Sequence, residues 1–176
     1  KLEIRNGELK GYIDMRDGNE GENGSPAYKG VPYYIKKLNQ FVRTFAMAFN
    51  EGFIDYNNNG VIESGENITG HADGYRFDAK AGDPVSGIRF FTYINNVGKI
   101  ADSNELIGGA VTESEIAAMY NKITAKNFTV GYEVMTDLNA ISTSGAPGEN
   151  ENAEIVDALI ELRHNKEVFA EGDRKS

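Results

Sequence analysis

The sequence predicts an α+β fold, mainly helical, with long amphipathic helices toward both ends and a small β-rich middle. Three observations carry that prediction. Ile35, Leu38, Phe41, Val42, Phe45 and Phe49 recur at three- and four-residue steps, the period of one helix face. Ile155, Leu159, Leu162 and Phe169 repeat the pattern near the far end. Between them, Gly74-Tyr-Arg-Phe-Asp78 and Gly87-Ile-Arg-Phe-Phe-Thr-Tyr-Ile94 are aromatic and β-branched, bounded by Gly, Asp and Pro, as short strands are. No internal repeat is present. The predicted organisation is a helical part of the main domain over residues 1–70, a β-rich middle over 71–131, and a helical part over 132–176 that packs back on the first.

Leu9, Tyr12, Ile13 and Arg16 lie at helical spacing, which predicts a short helix over residues 8–16. The run Gly18-Asn-Glu-Gly-Glu-Asn-Gly-Ser-Pro26 that follows is a polar loop. The helix from Tyr34 is about five turns long, and Pro32 suits its first turn, where a missing N–H costs nothing. Thr112-Glu-Ser-Glu115 is a capping-box signature, so a helix begins there and runs to about Tyr120. Lys126-Asn-Phe-Thr-Val-Gly131 reads as one more strand, and Ser142-Thr-Ser-Gly-Ala-Pro-Gly148 as a break in structure. Acidic residues crowd the start of the last helix, where they complement its dipole. Asn127, Asn150 and Asn152 read as cap or turn residues.

With 176 residues the chain suits one domain, or one with a small insertion. Hydrophobic residues make up 40%, including nine Phe and nine Tyr, enough to fill a core. A net charge of −9 argues against nucleic acid, which recruits clustered Lys and Arg, and against an anionic membrane surface. No apolar run approaches the ~20 residues that span a bilayer, and no signal-peptide pattern opens the chain. Without Cys there is no disulfide, thiolate metal site or cysteine nucleophile.

The sharpest local motif is Asp55-Tyr-Asn-Asn-Asn-Gly-Val-Ile-Glu-Ser-Gly-Glu66, which follows the calcium-loop pattern of the EF-hand. Oxygen side chains stand at loop positions one, three and five, with Gly at six, an aliphatic residue at eight and Glu at twelve. Calcium takes six to eight oxygens, so Asp55, Asn57, Asn59, the Val61 carbonyl, Glu63 and Glu66 would supply the ligands. Two Asn in place of Asp lower the ligand charge. A helix enters this loop, but Asn67-Ile-Thr-Gly70 does not continue one out of it. The competing reading is a polar connector in which Asn and Gly supply turns.

Nothing catalytic stands out. His71 follows a Gly and has no Cys or second His nearby for zinc, and His164 beside Arg163 reads as an exposed helical residue. No nucleophile elbow, P-loop or dinucleotide Gly pattern occurs, and abundant carboxylates without informative spacing do not make a glycosidase pair. The aromatic positions Tyr34, Phe41, Phe45 and Phe49 read as core rather than a ligand face.

Several segments, taken in order, carry a resemblance. Asn6-Gly-Glu-Leu-Lys-Gly-Tyr-Ile-Asp-Met-Arg-Asp17 opens it, and Leu38-Asn-Gln-Phe and Ala46-Met-Ala-Phe-Asn50 follow on the long helix. An Asp/Asn/Gly loop comes next at Asp55, with an aromatic at Phe77. The last pieces are Ile123-Thr-Ala-Lys-Asn-Phe-Thr-Val130, Ala140-Ile-Ser-Thr-Ser144 and Gly148-Glu-Asn-Glu-Asn-Ala-Glu-Ile-Val-Asp-Ala-Leu159. This order and spacing resembles the flagellar hook-associated protein 1 family, the hook–filament junction proteins. The resemblance implies a non-enzymatic structural subunit with no cofactor. It would be exported to the extracellular flagellum without a cleaved signal, and would form a homo-oligomer in contact with hook protein and adjacent junction or filament proteins. It further implies a central fragment without the terminal coiled segments, and therefore one expected to be monomeric. The alternative is a calcium-dependent extracellular binding or adhesion module, resting on residues 55–66.

Overall fold

The computed structural model describes residues 7–18, 28–54, 68–149, 151–165 and 168. It combines helices with two small two-stranded sheets, an α+β architecture. Its contacts divide it into two units, Lys1–Gln40 and Phe41–Ser176. The first contains helix α1 (Glu8–Asp17) and the opening turns of α2 (Val31–Glu51). Glu8 sits in the first turn of α1 and Arg16 in its last, the polarity a helix dipole favours. Lys10 pairs with Asp14 one turn on, and Tyr12 donates to Glu8 at 2.8 Å. No residue of α1 is buried, and Leu9, Tyr12 and Met15 all face solvent.

Helix α2 starts three residues before Tyr34, with Pro32 in its first turn, and runs for 21 residues. Its apolar stripe is treated unevenly. Val42, Ala46 and Ala48 are buried in the second unit, whereas Tyr34 is 61% exposed and Phe41 50%. The expectation that the whole aromatic stripe is core is therefore corrected: Phe45 and Phe49 pack against rings from outside α2, while Tyr34, 5.4 Å from the Tyr33 ring, and Phe41, 6.5 Å from the Phe45 ring, stay at least half exposed. Phe45 lies 5.1 Å from Phe91 and Phe49 5.3 Å from Phe90, centroid to centroid, within the range of favourable aromatic pairs.

The second unit is built on two apolar clusters. Val42 and Ala46 of α2 join Leu106, Ile107, Tyr120 and Ile123, with Phe91 and Phe128 against them. Ala48 of α2 and Ile54 join Leu162 and Val168, with Phe49, Ile68 and Leu159 alongside. Strand β1 (Tyr75–Arg76) is followed by β2 (Phe91–Tyr93), helices α3 (Ser103–Ile107) and α4 (Glu113–Met119), and β3 (Phe128–Val130). Then come α5 (Tyr132–Thr136), β4 (Ser142–Ser144) and α6 (Glu154–Glu161). Strands β2 and β3 pair antiparallel with Thr92 opposite Thr129, and β1 pairs antiparallel with β4 across a bulge.

Local chemistry sets several boundaries. The capping box at α4 forms as its sequence predicts: Glu115 N–H donates to Thr112 Oγ1, and the Glu115 carboxylate accepts from Thr112 N–H. Helix α3, which the sequence reading missed, begins at Asp102, whose side chain accepts from Glu105 N–H at 2.8 Å. Its end is the left-handed Gly108. Asn127 folds on itself as a turn residue, accepting from Thr124 N–H at 2.7 Å, and Asn152 accepts from Glu154 N–H at the start of α6.

Two further expectations change. Residues 142–144 form β4 rather than a break, because Ser142 and Ser144 are buried against β1. The far-end helix, expected to continue to Phe169, is eight residues long among the described residues. It tightens into a 3₁₀ turn at Leu162–His164, and Asn165 N–H closes it on Leu162 O at 3.2 Å. Asn150 and Phe169 lie outside the described residues. No helix among those residues is long and apolar enough to cross a membrane.

Candidate functional site

Helix α2 ends in a buried polar cluster. Asn50 is fully buried and treats Phe91 as a strand partner would. Its Oδ1 accepts from Phe91 N–H at 3.0 Å, and its Nδ2 donates to Phe91 O at 2.7 Å. The same Nδ2 donates to the Tyr120 hydroxyl at 2.9 Å. Tyr120 in turn donates to Glu51 Oε1 at 2.7 Å. Arg89 then grips Glu51 with both arms, Nε to Oε1 at 2.8 Å and Nη2 to Oε2 at 2.9 Å. Its remaining arm donates to Gly87 O at 2.7 Å.

Every polar side-chain atom of Asn50, Glu51, Arg89 and Tyr120 thus has a partner inside the protein, as buried polar groups require. Burial and the adjacent Glu51 charge push the Tyr120 hydroxyl well above its ordinary range, so it remains a donor. Burial lowers the Arg89 guanidinium, but its bonds to Glu51 outweigh that and leave it raised. The cluster offers no unoccupied nucleophile. What it can do is fix the end of α2 against β2 and the turn at Tyr120.

His71 performs a similar task next door. Its Nδ1 lies 2.8 Å from Ile88 O, and its Nε2 lies 2.9 Å from Ser142 N. The Ser142 N–H can only donate, which assigns the neutral tautomer with the proton on Nδ1. Burial lowers the pKa of this ring, the Ile88 carbonyl opposing it. His71 therefore fastens β4 to the segment before β2, with Phe49 stacked at 6.2 Å. His164 is exposed, as expected, beside Arg163.

The predicted calcium ligands Asp55, Asn57, Asn59, Val61, Glu63 and Glu66 all lie outside the described residues. The two ends of their segment are described. Gly52 has φ of +68°, and its carbonyl accepts from Ile68 N–H at 2.9 Å. A side chain at Gly52 would overlap the Ile68 carbonyl, and one at Gly70 would press on Asn50 O and the Gly52 backbone. Phe53 and Ile54 are buried just inside. Residues 68–70 are not helical, so no exiting helix follows there. Among the described residues no group of three or more His, Cys, Asp or Glu could hold a metal ion.

Comparison with family models, with curated proteins and with solved structures gives no match. The sequence reading placed Asn50 at a helix end but missed the cluster around it. The only local signal is an Asn-Glu pair just before a Gly, and nothing in the helix period places both residues on the buried side.

Proposed function

We propose that this chain is part of a structural, non-enzymatic subunit of the bacterial flagellum at the hook–filament junction. The observation that carries the reading is the order of the segments from Asn6 to Leu159 that resemble hook-associated protein 1. Several of those segments coincide with fastening points of the fold. Asn50 clamps β2, Asn127 closes the turn before β3, and Ser142–Ser144 pairs with β1. A load-bearing wall subunit needs such fastening more than it needs a cleft. In this reading the full-length protein is extracellular, exported without a cleaved signal, and assembles as a homo-oligomer touching hook protein and its junction or filament neighbours. It uses neither nucleic acid nor membrane. The test is deletion of the full-length gene in its native cell, with electron microscopy and assay of the medium. Bare hooks with filament subunits lost to the medium support the reading, and normal filaments overturn it.

A second reading, a calcium-dependent extracellular binding or adhesion module, is favoured by residues 55–66 and by the Gly52–Ile68 bond that holds their segment's ends together. If deletion leaves filaments normal, this reading takes first place.

A further inference from the structure

Strand β4 is lightly tied to the second unit, and one of its ties runs to a titratable ring. It pairs with the two residues Tyr75 and Arg76 of β1, across a bulge. Neither apolar cluster of the unit draws a residue from 141–149. Ser142 and Ile155 close over Gly74, where an added Cβ would lie 2.9 Å from the one and 2.7 Å from the other. The remaining tie is the bond from Ser142 N–H to His71 Nε2 at 2.9 Å. A three-residue strand with one partner strand belongs to the least stable part of a fold, the part that opens locally before the core does.

Both nitrogens of the fully buried His71 ring are committed. Nδ1–H donates to Ile88 O, and the bare Nε2 accepts from Ser142 N–H. A proton added at Nε2 therefore meets a second N–H, and the ring can no longer hold β4. The charged groups around the ring are engaged elsewhere or exposed. Glu51 at the end of α2 and Arg89 beside Ile88 hold one another. Asp73, on the histidine's own turn, accepts from Gly70 N–H at 2.9 Å. Arg76 of β1 pairs with Asp78 and Asp137. Strand β4 carries no charge, and Glu154, Asp157 and Glu161 of α6 are exposed. The rings of Phe49 and Phe90 complete the surroundings. Burial pushes the Asp73 carboxyl up, and a carboxyl raised in the fold adds stability as pH falls, so Asp73 cannot loosen the strand in acid.

We infer that His71 is an acid-operated latch: a proton on Nε2 frees β4 from β1 and from Ile155 of α6, while the two apolar clusters stay folded. The inference does not depend on the junction reading, since it concerns one ring and the strand it holds. The test is amide hydrogen exchange on the 176-residue protein, read by NMR on both sides of about pH 6.5 and corrected for intrinsic exchange. Protection of Ser142–Ser144 should hold above that pH and fall about tenfold over the next pH unit below it. Phe91–Tyr93 and Phe128–Val130 should be better protected throughout. Dilute urea should speed their exchange without changing that of β4, because a local opening exposes little surface. His71→Gln, whose amide oxygen can accept from Ser142 N–H at every pH, should abolish the acid response. His164→Gln, which alters the exposed second histidine, should leave it intact. Protection of β4 that does not change with pH, or an acid response that survives His71→Gln, overturns the inference. So does exchange of β4 and β2 at one protection and one urea dependence, which is global unfolding. Should His71→Gln not fold, the NMR signals of the ring nitrogens decide. Protonation of His71 that tracks the loss of β4 protection supports the latch. A protonated ring with Ser142–Ser144 still protected, the buried and unpartnered Ser142 hydroxyl taking the new bond, overturns it. Gene deletion and hydrogen exchange are read separately, so either reading can fail while the other stands.

Discussion

Exchange of the Glu51–Arg89 pair for methionines tests whether the polar cluster holds the fold by charge complementarity or by shape. The Glu51 side chain is 6% exposed and that of Arg89 17%, so both charges are largely withdrawn from water. Glu51→Met leaves Arg89 bonded to Gly87 O alone and removes the acceptor of the Tyr120 hydroxyl. Arg89→Met leaves the more deeply buried carboxylate with only Tyr120. Removing one partner of a buried pair costs about 3–5 kcal/mol. Glu51→Met belongs at the lower end, because water reaches the Arg89 guanidinium more easily than Glu51. Arg89→Met belongs at the upper end. In the double variant no unpaired charge remains, and methionine fills similar volume. The residual cost is then the Tyr120 O–H donor left without an acceptor, about 1–3 kcal/mol, while its oxygen still accepts from Asn50 Nδ2. The single costs should exceed the double, and together they should exceed it by about 5–7 kcal/mol. Urea unfolding followed by far-ultraviolet circular dichroism reads these values; tyrosine emission gives a second probe, because the chain has no Trp. Each kcal/mol corresponds to roughly 2–4 °C in melting temperature for a domain of this size. A Glu51→Met cost below about 1 kcal/mol, or a double variant equal to the sum of the singles, would refute the argument.

Three further outcomes can be checked. His71 has a lowered pKa in the folded protein, so it favours the fold above its unfolded value of about 6.5 and loses that contribution as pH falls below it. Stability should therefore decline as pH falls below about 6.5 with a slope of up to ~1.4 kcal/mol per pH unit; His71→Asn should remove this slope, and a slope that persists unchanged would assign it elsewhere. Gly52→Ala should lower stability by at least about 2 kcal/mol, since φ of +68° is strained for Ala and its Cβ meets the Ile68 carbonyl; an unchanged melting temperature would contradict the described approach. If the second reading holds, calcium added to chelator-stripped protein should release or absorb heat and raise the melting temperature, by about 2.7 kcal/mol of stability at a hundredfold excess over Kd; the absence of both heat and shift would remove residues 55–66 from consideration as a site.

Local signals were legible where a neighbouring residue decides the structure. The capping box from Thr112 to Glu115 spans four residues and forms as written. The stripe of α2 gave its existence, because a 3.6-residue period needs no knowledge of the partner. It could not show which half of the stripe is covered, because coverage depends on chain far away in sequence. Strand β4 was hidden for the same reason. Its Ser-Thr-Ser composition signals a turn, and only the antiparallel pairing with Tyr75 and the His71 bond to Ser142 make it a strand. Helices of five residues such as α3 and α5 are too short for periodicity to register.

The cluster at Asn50 shows why the site was less legible than the fold. Its bonds join residues 41 and 69 positions apart, to Phe91 and Tyr120, and no window along the sequence contains both ends. Yet the outcome follows from composition once the helix is placed. The last turn of α2 leaves carbonyls without helical partners, and the chain must turn sharply at Gly52. An Asn and a Glu on the inward side at that point would be costly unless each met a complementary group. Phe91 supplies a backbone N–H and a carbonyl to Asn50, and Arg89, two residues before it, supplies the countercharge to Glu51. The strand that completes the aromatic core is thus the one that satisfies the helix end. A change that misplaced Phe91 would loosen ring packing and polar cluster together, so the two should unfold as one cooperative step.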